Sequence, residues 1–171
     1  MGHTVIQVPV PALETVVRPH VLASRPGVKL PDDDVVCAHI TLLGPFVDKT
    51  DVTAGLVTTI RQVFNDVHRF EFELTDFRGF ADGLVYLAPE PAEPFKQLTE
   101  RLVEAFPAWQ PYGGQFDEVI PHLSLGTSLP AYEIMALLRK LPVEEVADRV
   151  TLTWWGDDEI TNLEEFPLLA D

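Results

Sequence analysis

Two short segments of the chain each place a histidine two residues before a hydroxyl residue. They are Ala38-His39-Ile40-Thr41-Leu42 and Pro121-His122-Leu123-Ser124-Leu125. Because alternate side chains of a β-strand share a face, His39 and Thr41 are expected on one face and the aliphatic residues on the other. His122 and Ser124 repeat this arrangement. Two imidazoles, each beside a hydroxyl, are equipped for acid–base chemistry on a phosphate ester.

The charge balance bears on the substrate. The 171 residues include 27 Asp and Glu against 12 Lys and Arg, for a formal net charge of −15. Such a field repels nucleic-acid backbones, so tight binding of duplex nucleic acid is not expected. A pocket can still supply local donors for a small nucleotide or cyclic phosphate, because salt screens distant charges. Short RNA ends remain open as substrates.

The composition also bears on the compartment. No run of about 18 apolar residues is present, so no membrane span is expected. The first ten residues lack the basic start and apolar centre of a signal peptide. The single cysteine, Cys37, excludes an internal disulfide and suits a reducing compartment. A cytoplasmic location is therefore expected.

Hydrophobic periodicity predicts strands that alternate with helices. Strands are expected near residues 4–10, 35–44, 70–74, 84–88, 120–126, 149–155 and 159–168. Helices are expected near residues 12–21, 51–66, 94–106 and 131–141, with Pro19 ending or kinking the first. This order predicts an α+β fold in one domain, with two lobes over about residues 1–85 and 86–171.

Three aromatic residues are candidates for substrate binding. Tyr112, Phe46 and Tyr86 could stack on a base or shape a cleft, and packing is the alternative for each. Tyr112 belongs to a segment, residues 107–118, in which glycines and aromatics suit a loop that covers a site. Arg78 could offer charge to a phosphate or lie exposed on a hairpin.

Cys37 shares strand parity with His39. A Cys/His nucleophilic pair would leave the second histidine motif unexplained, so a small buried cysteine is the favoured interpretation. The Asp32-Asp33-Asp34 run is expected to be a solvated loop, because it lacks the alternate-residue spacing of calcium loops.

The paired motif resembles that of the 2H phosphoesterases, in particular their 2′-5′ RNA ligase-like and cyclic phosphodiesterase branch. His39-Ile40-Thr41-Leu42 and His122-Leu123-Ser124-Leu125 carry the resemblance, and the flanks 43–46, 84–90 and 111–116 extend it. The resemblance implies a bilobal fold of two antiparallel-rich sheets with flanking helices around a central cleft. It implies that His39, Thr41, His122 and Ser124 are catalytic, with no cofactor and no metal. The chain has no HExxH, DxDxDG or CxxC motif.

The expected function is metal-independent hydrolysis of 2′,3′-cyclic or 2′-5′-linked nucleotides, or of a related small cyclic phosphate. Imidazole titrates near pH 6.5, so one ring can act as base while the other acts as acid. Which histidine takes which part stays open, as does the direction of the reaction. The alternatives are a nucleotide or phosphometabolite binding protein with little turnover, and an interaction module with vestigial histidines.

Overall fold

The strands and helices mix along the chain as the periodicity predicts. The computed structural model describes all 171 residues. Its strands are β1 (His3–Pro9), β2 (His39–Leu43), β3 (Phe70–Gly79), β4 (Leu84–Glu90), β5 (Leu123–Thr127), β6 (Val143–Ala147), β7 (Arg149–Trp155) and β8 (Ile160–Pro167). Its helices are α1 (Glu14–Ser24), α2 (Ala54–Phe64), α3 (Glu93–Ala105) and α4 (Ala131–Leu138). The predicted α+β class is confirmed. None of the helices is long and apolar enough to cross a membrane.

All eight strands join one antiparallel sheet, in the order β6-β3-β4-β5-β2-β1-β7-β8. The two central strands, β2 and β5, have little pairing with each other, since they pair only through Ile40 and Leu123. This pairing is the junction at the centre of the sheet. On either side of this junction lie four strands with extensive pairing. The sheet therefore consists of two halves that meet along the two strands carrying the histidine motifs.

The two halves repeat one topology. The unit β1-α1-β2 forms one side of the junction and β4-α3-β5 forms the other. Beyond them, β7 pairs with β1 and β3 pairs with β4. Because β3 follows the first unit in sequence but pairs with the second, the two halves exchange strands. This arrangement supports an internal duplication.

The expected lobe boundary needs correction for the same reason. A division at residue 85 falls inside β4. In addition, β7 returns to pair with β1, and β8 pairs with β7, instead of staying with the second half of the chain. The halves of the sheet are therefore not the halves of the sequence.

The two motif strands share a second irregularity. β2 has a β-bulge at Leu42, because Thr41 faces Gln7 while Leu43 faces Ile6. β5 has one at Leu125, because its pairing with β4 shifts between Ser124 and Gly126. Bulges bend a strand and re-aim its side chains, and here each follows directly on the hydroxyl residue of a motif.

The core lies on the face opposite the motif side chains. Ile40, Leu42, Leu123 and Leu125 are at most 2% exposed, as the alternation predicts. Helix α3 contributes Phe95, Leu98 and Leu102 to this core, and Phe95 packs edge-to-face on Phe72. The Thr99 hydroxyl of the same helix donates to the carbonyl of Leu42, which fixes α3 against β2.

Candidate active site

The register across the central junction brings the two motifs together. With Ile40 opposite Leu123, antiparallel pairing sets one motif against the other in reverse order. Each histidine thus has one hydroxyl on its own strand and another on the neighbouring strand. The residues concerned, all half-buried, are His39, Thr41, His122 and Ser124. The structure brings together the four residues predicted to be catalytic.

Both histidines make the same hydrogen bond with their own backbone. His39 Nδ1 lies 2.8 Å from the carbonyl oxygen of Cys37, and His122 Nδ1 lies 2.7 Å from that of Ile120. A carbonyl can only accept, so each Nδ1 carries the proton and donates. In the neutral ring this leaves Nε2 as the proton acceptor, ready to exchange a proton with a ligand.

Burial keeps both rings from charging easily. Loss of solvent lowers the pKa of His39 to about 4, against a smaller raising effect of its bond to Cys37. Burial also lowers the pKa of His122. The charge of His122 further lowers the pKa of His39, so protonation of one ring disfavours protonation of the other. The pair is suited to hold a single proton.

Three aromatic rings surround His122. Tyr112 stacks on it with the centroids 5.9 Å apart and the planes 21° apart. Phe80 meets it edge-on at 5.0 Å, and Tyr86 does so at 5.4 Å. Tyr86 is only 5% exposed and stacks on Phe80 at 4.2 Å. It therefore supports the rings around His122 instead of presenting a free face to a ligand.

The third aromatic candidate, Phe46, is not part of this wall. It is 4% exposed and packs edge-on against Phe106 and Trp109. Its ring belongs to the hydrophobic core that supports the loop after α3. The structure therefore places Phe46 in the core and not among the residues around the histidines. The sequence around Phe46, a phenylalanine directly after Gly-Pro, does not distinguish a core residue from one that contacts a ligand.

His39 packs against Trp155, which the sequence analysis did not single out. The two ring centroids lie 5.0 Å apart. Trp155 is 7% exposed, and its Nε1 donates to Gln7 at 3.0 Å. The Arg25 guanidinium covers the ring, 5.5 Å from its centroid, and donates to the Gly156 carbonyl. Trp155 is the last residue of β7, and Phe80 directly follows β3, the corresponding strand of the other half. Each histidine therefore has an aromatic neighbour in a matching place.

The alternation of residues in β7 could have indicated that Trp155 lies near the site. Thr151, Thr153 and Trp155 form the second face of this strand, and a row of buried threonines in a sheet requires polar partners. Thr151 and Thr153 bond to each other at 3.0 Å, and Thr153 donates to Asn162. This polar row lies on the same side of the sheet as His39.

A tight turn holds Tyr112 over the junction. Tyr112, Gly113 and Gly114 have φ values of 52°, 64° and 74°, in the left-handed region. Such a conformation costs of order 1 kcal/mol at the tyrosine. The Tyr112 amide donates to the Gly44 carbonyl at 2.8 Å, which ties the turn to the end of β2. Burial raises the pKa of the Tyr112 phenol to about 12, and Thr41 contacts the phenol from the motif itself.

The remaining candidates lie outside the site. Cys37 is 1% exposed, and burial raises the pKa of its thiol to about 11, so it is a protonated core residue at neutral pH. Arg78 pairs with Asp76 at 2.6 Å on the exposed hairpin. Asp32 is bonded by the Thr161 hydroxyl, which ties the aspartate-rich loop to β8.

Five of the 27 acidic residues line one groove near an edge of the sheet. A groove beside β3, β4 and β6 is lined by five glutamates, namely Glu71, Glu73, Glu90, Glu144 and Glu145. Two strands, β4 and β5, separate β3 from the first motif strand, β2. No group of three or more His, Cys, Asp or Glu side chains converges in a metal-binding arrangement.

Comparison with known sequences places this site in a family. The model of the 2′-5′ RNA ligase superfamily matches residues 16–159, a segment that includes both histidine motifs. The chain belongs to this superfamily. The resemblance to 2H phosphoesterases is thus confirmed.

Two curated relatives are similar over much of the chain. An inferred phosphoesterase of Bacillus licheniformis is 26% identical over 140 residues, covering 75% of this chain and 78% of that protein. A second inferred phosphoesterase, from Geobacillus kaustophilus, is 26% identical over 110 residues, covering 63% and 61%.

Solved structures of other proteins share the fold along the whole chain. The protein TT0787 of Thermus thermophilus superposes with a TM-score of 0.64 at 17% identity, with all of both chains covered. LigT of E. coli in complex with 3′-AMP superposes with a TM-score of 0.58 at 17% identity, with 98% of each chain covered. The expected LigT-like architecture is confirmed.

Proposed function

We propose that this member of the 2′-5′ RNA ligase superfamily is a metal-independent phosphodiesterase. Its substrates are 2′,3′-cyclic or 2′-5′-linked nucleotides or a related small cyclic phosphate, and His39 and His122 are its general acid and base. One observation carries this proposal. The two imidazoles meet across a single strand junction, and each bonds its own backbone through Nδ1, which leaves Nε2 for the substrate.

Both comparisons and electrostatics support a small substrate. LigT of E. coli has been crystallised with 3′-AMP, NADP+, ATP and phosphate. The net charge of −15 disfavours a long polyanion at this site.

The reaction balances with these groups alone. The basic Nε2 takes a proton from water as the water oxygen bonds to phosphorus. The other Nε2–H gives its proton to the ribose oxygen as the P–O bond breaks. The enzyme ends with its proton on the opposite ring, and exchange with solvent restores it. Thr41 and Ser124 donate to the non-bridging oxygens, whose charge increases in the transition state.

The test is a substrate panel with EDTA present. It comprises the four 2′,3′-cyclic nucleotides, 2′-5′ dinucleotides and ADP-ribose 1″,2″-cyclic phosphate. We expect His39→Ala and His122→Ala each to lower turnover about 10²–10⁴-fold while thermal unfolding stays unchanged. His68→Ala is the matched control, because His68 is 60% exposed and lies outside the site. Near-full activity of either motif variant would disprove the two-histidine mechanism.

One observation favours a second candidate, a nucleotide-binding protein with little turnover. Burial lowers the pKa of both histidines, so in the free protein at pH 7 both rings are mostly neutral and a proton donor is scarce. A bound phosphate anion must raise the pKa of one ring for catalysis to proceed. Calorimetric binding of a 3′-nucleotide without turnover of any substrate in the panel would select this candidate.

A further inference from the structure

The loop after α3 presents an unused aromatic surface beside His122. Phe116 is 60% exposed. Its ring meets Tyr112 edge-on, with the centroids 5.8 Å apart and the planes 83° apart. Tyr112 in turn stacks on His122. Phe116 thus continues the aromatic wall from the histidine to solvent.

The His39 side has no counterpart to this surface. Its ring, Trp155, is 7% exposed and is covered by the Arg25 guanidinium. Three large aromatic side chains of the protein are exposed, and two of them, Phe116 and Trp109, belong to this loop. The third, Tyr132, lies on α4. The two halves of the site are therefore alike at the histidines and different where a large flat group would lie.

We propose that the nucleobase of the substrate stacks on Phe116 beside Tyr112, so that the ribose faces His122. This inference rests on the proposed function. It assigns His122 as the acid that protonates the departing ribose oxygen and His39 as the base that activates water. The P–O bond to the ribose breaks on the His122 side, while the new bond from water oxygen to phosphorus forms on the His39 side.

The electrostatics agree with this geometry. Burial and the neighbouring His122 charge both keep His39 neutral, which is the state that a base needs. When the pair holds one proton, that proton therefore resides mainly on His122. Base stacking is sequence-tolerant, because every base has a π-face. Phe116 is therefore expected to raise kcat/KM for all four cyclic nucleotides.

Loss of Phe116 tests the base subsite. We expect Phe116→Ala to lower kcat/KM for 2′,3′-cyclic nucleotides about 10-fold or more and to leave ribose 2,3-cyclic phosphate, which has no base, unchanged. Phe116→Trp should retain the wild-type preference. Tyr132→Ala removes another exposed ring, on α4 and outside the motif strands, and serves as control. An equal loss on both substrates would overturn the base subsite.

A sulfur-substituted substrate tests the orientation. In this analogue sulfur replaces the departing ribose oxygen, and a thiolate leaves without a proton from an acid. We expect His122→Ala to turn over this analogue at least 10-fold faster than the oxygen substrate. We expect no such gain for His39→Ala. The reverse pattern would overturn the assignment of the two histidines.

Failure of the proposed function would be visible separately. In that case the wild type would turn over neither cyclic nucleotides nor ribose 2,3-cyclic phosphate. The base subsite is then measured by calorimetry, comparing 3′-AMP with ribose 3-phosphate. Equal weakening of both ligands by Phe116→Ala, or no effect on either, would contradict it.

Discussion

At the scale of residues, the same arrangement of side chains occurs twice in the site. Each motif histidine donates from Nδ1 to a carbonyl two residues earlier, and each has an aromatic neighbour 5.0 Å away. The surroundings then separate the two rings. His39 is held by a buried tryptophan, and His122 lies in a wall of three rings that reaches solvent. Such a difference favours a neutral ring on one side and a protonated ring on the other, which sets one direction of proton flow.

The pH dependence of kcat/KM follows from the two lowered pKa values. Activity requires one neutral and one protonated ring. It should rise with pH through the His39 pKa of about 4 and fall as pH passes the pKa of His122, which lies below 6.5. We therefore expect a bell with its maximum below pH 6.5. Rates for a cyclic nucleotide between pH 3.5 and 9, with stability monitored, measure it, and a descending limb above pH 8 would contradict this prediction.

The motif hydroxyls should act on the transition state more than on binding. Thr41→Val and Ser124→Ala each remove one donor to the phosphoryl oxygens, so we expect kcat to fall about 10²-fold with little change in KM. Thr41→Ser keeps the donor and should stay near the wild-type rate. A change confined to KM would show that these hydroxyls only bind the substrate.

At the scale of elements, the motif strands were predictable and their meeting was not. Alternation of polar and aliphatic residues marks β2 and β5 correctly, because one face is buried in each. β3 is longer than predicted, since a bulge after Leu74 shifts the alternation and hides the strand up to Gly79. β6 was missed, because its five residues include two glutamates and an exposed valine at the edge of the sheet.

The aromatic neighbours were hidden for a different reason. Trp155 reaches His39 only because β7 pairs with β1, and Phe80 reaches His122 only because the β3–β4 hairpin pairs with β5. In both cases the strands that pair are far apart in sequence. Local periodicity carries no information about such pairing. The helix α1 also continues through Pro19 to Ser24, although proline favours a break there. The tertiary packing of the helix outweighs this local preference.

The bulge after Ser124 depends on Gly126. Its φ of 127° is one that side chains with a Cβ rarely adopt, although no atom lies within 4 Å of the place that an added methyl group would take. Gly126→Ala therefore adds strain without a clash, and we expect it to cost about 1–3 kcal/mol of unfolding free energy. We also expect lower kcat, because the bulge aims Ser124.

Gly79→Ala is the control for this substitution. Gly79 lies in β3 without a positive φ, and an added Cβ would meet only the Leu84 carbonyl at an ordinary 3.8 Å. Denaturant unfolding and steady-state kinetics of both variants give the comparison. Equal stability of the two variants would show that the Gly126 conformation is not specific to glycine.

At the scale of the whole molecule, the acidic surface opposes the binding of an anionic substrate at the proposed site. The glutamates of the groove lie on β3, β4 and β6 and not on the motif strands β2 and β5, so their repulsion reaches the site through space and solvent instead of by contact. The screening length is about 10 Å at 0.1 M salt. Physiological salt therefore removes much of this repulsion, while the local donors on β2 and β5 remain.

This opposition predicts an unusual response to salt. For an anionic substrate we expect kcat/KM to rise a few-fold between about 0.01 and 0.15 M salt, because screening weakens the repulsion between substrate and protein. The rise should be larger for a 2′-5′-linked tetranucleotide than for a cyclic mononucleotide, since the longer substrate carries more charge. Turnover at saturation should change little. Proteins that bind nucleic acid through a basic surface lose affinity as salt increases. A fall of kcat/KM for both substrates would therefore mean that an unrecognised basic patch dominates encounter, and that the net charge does not select small substrates.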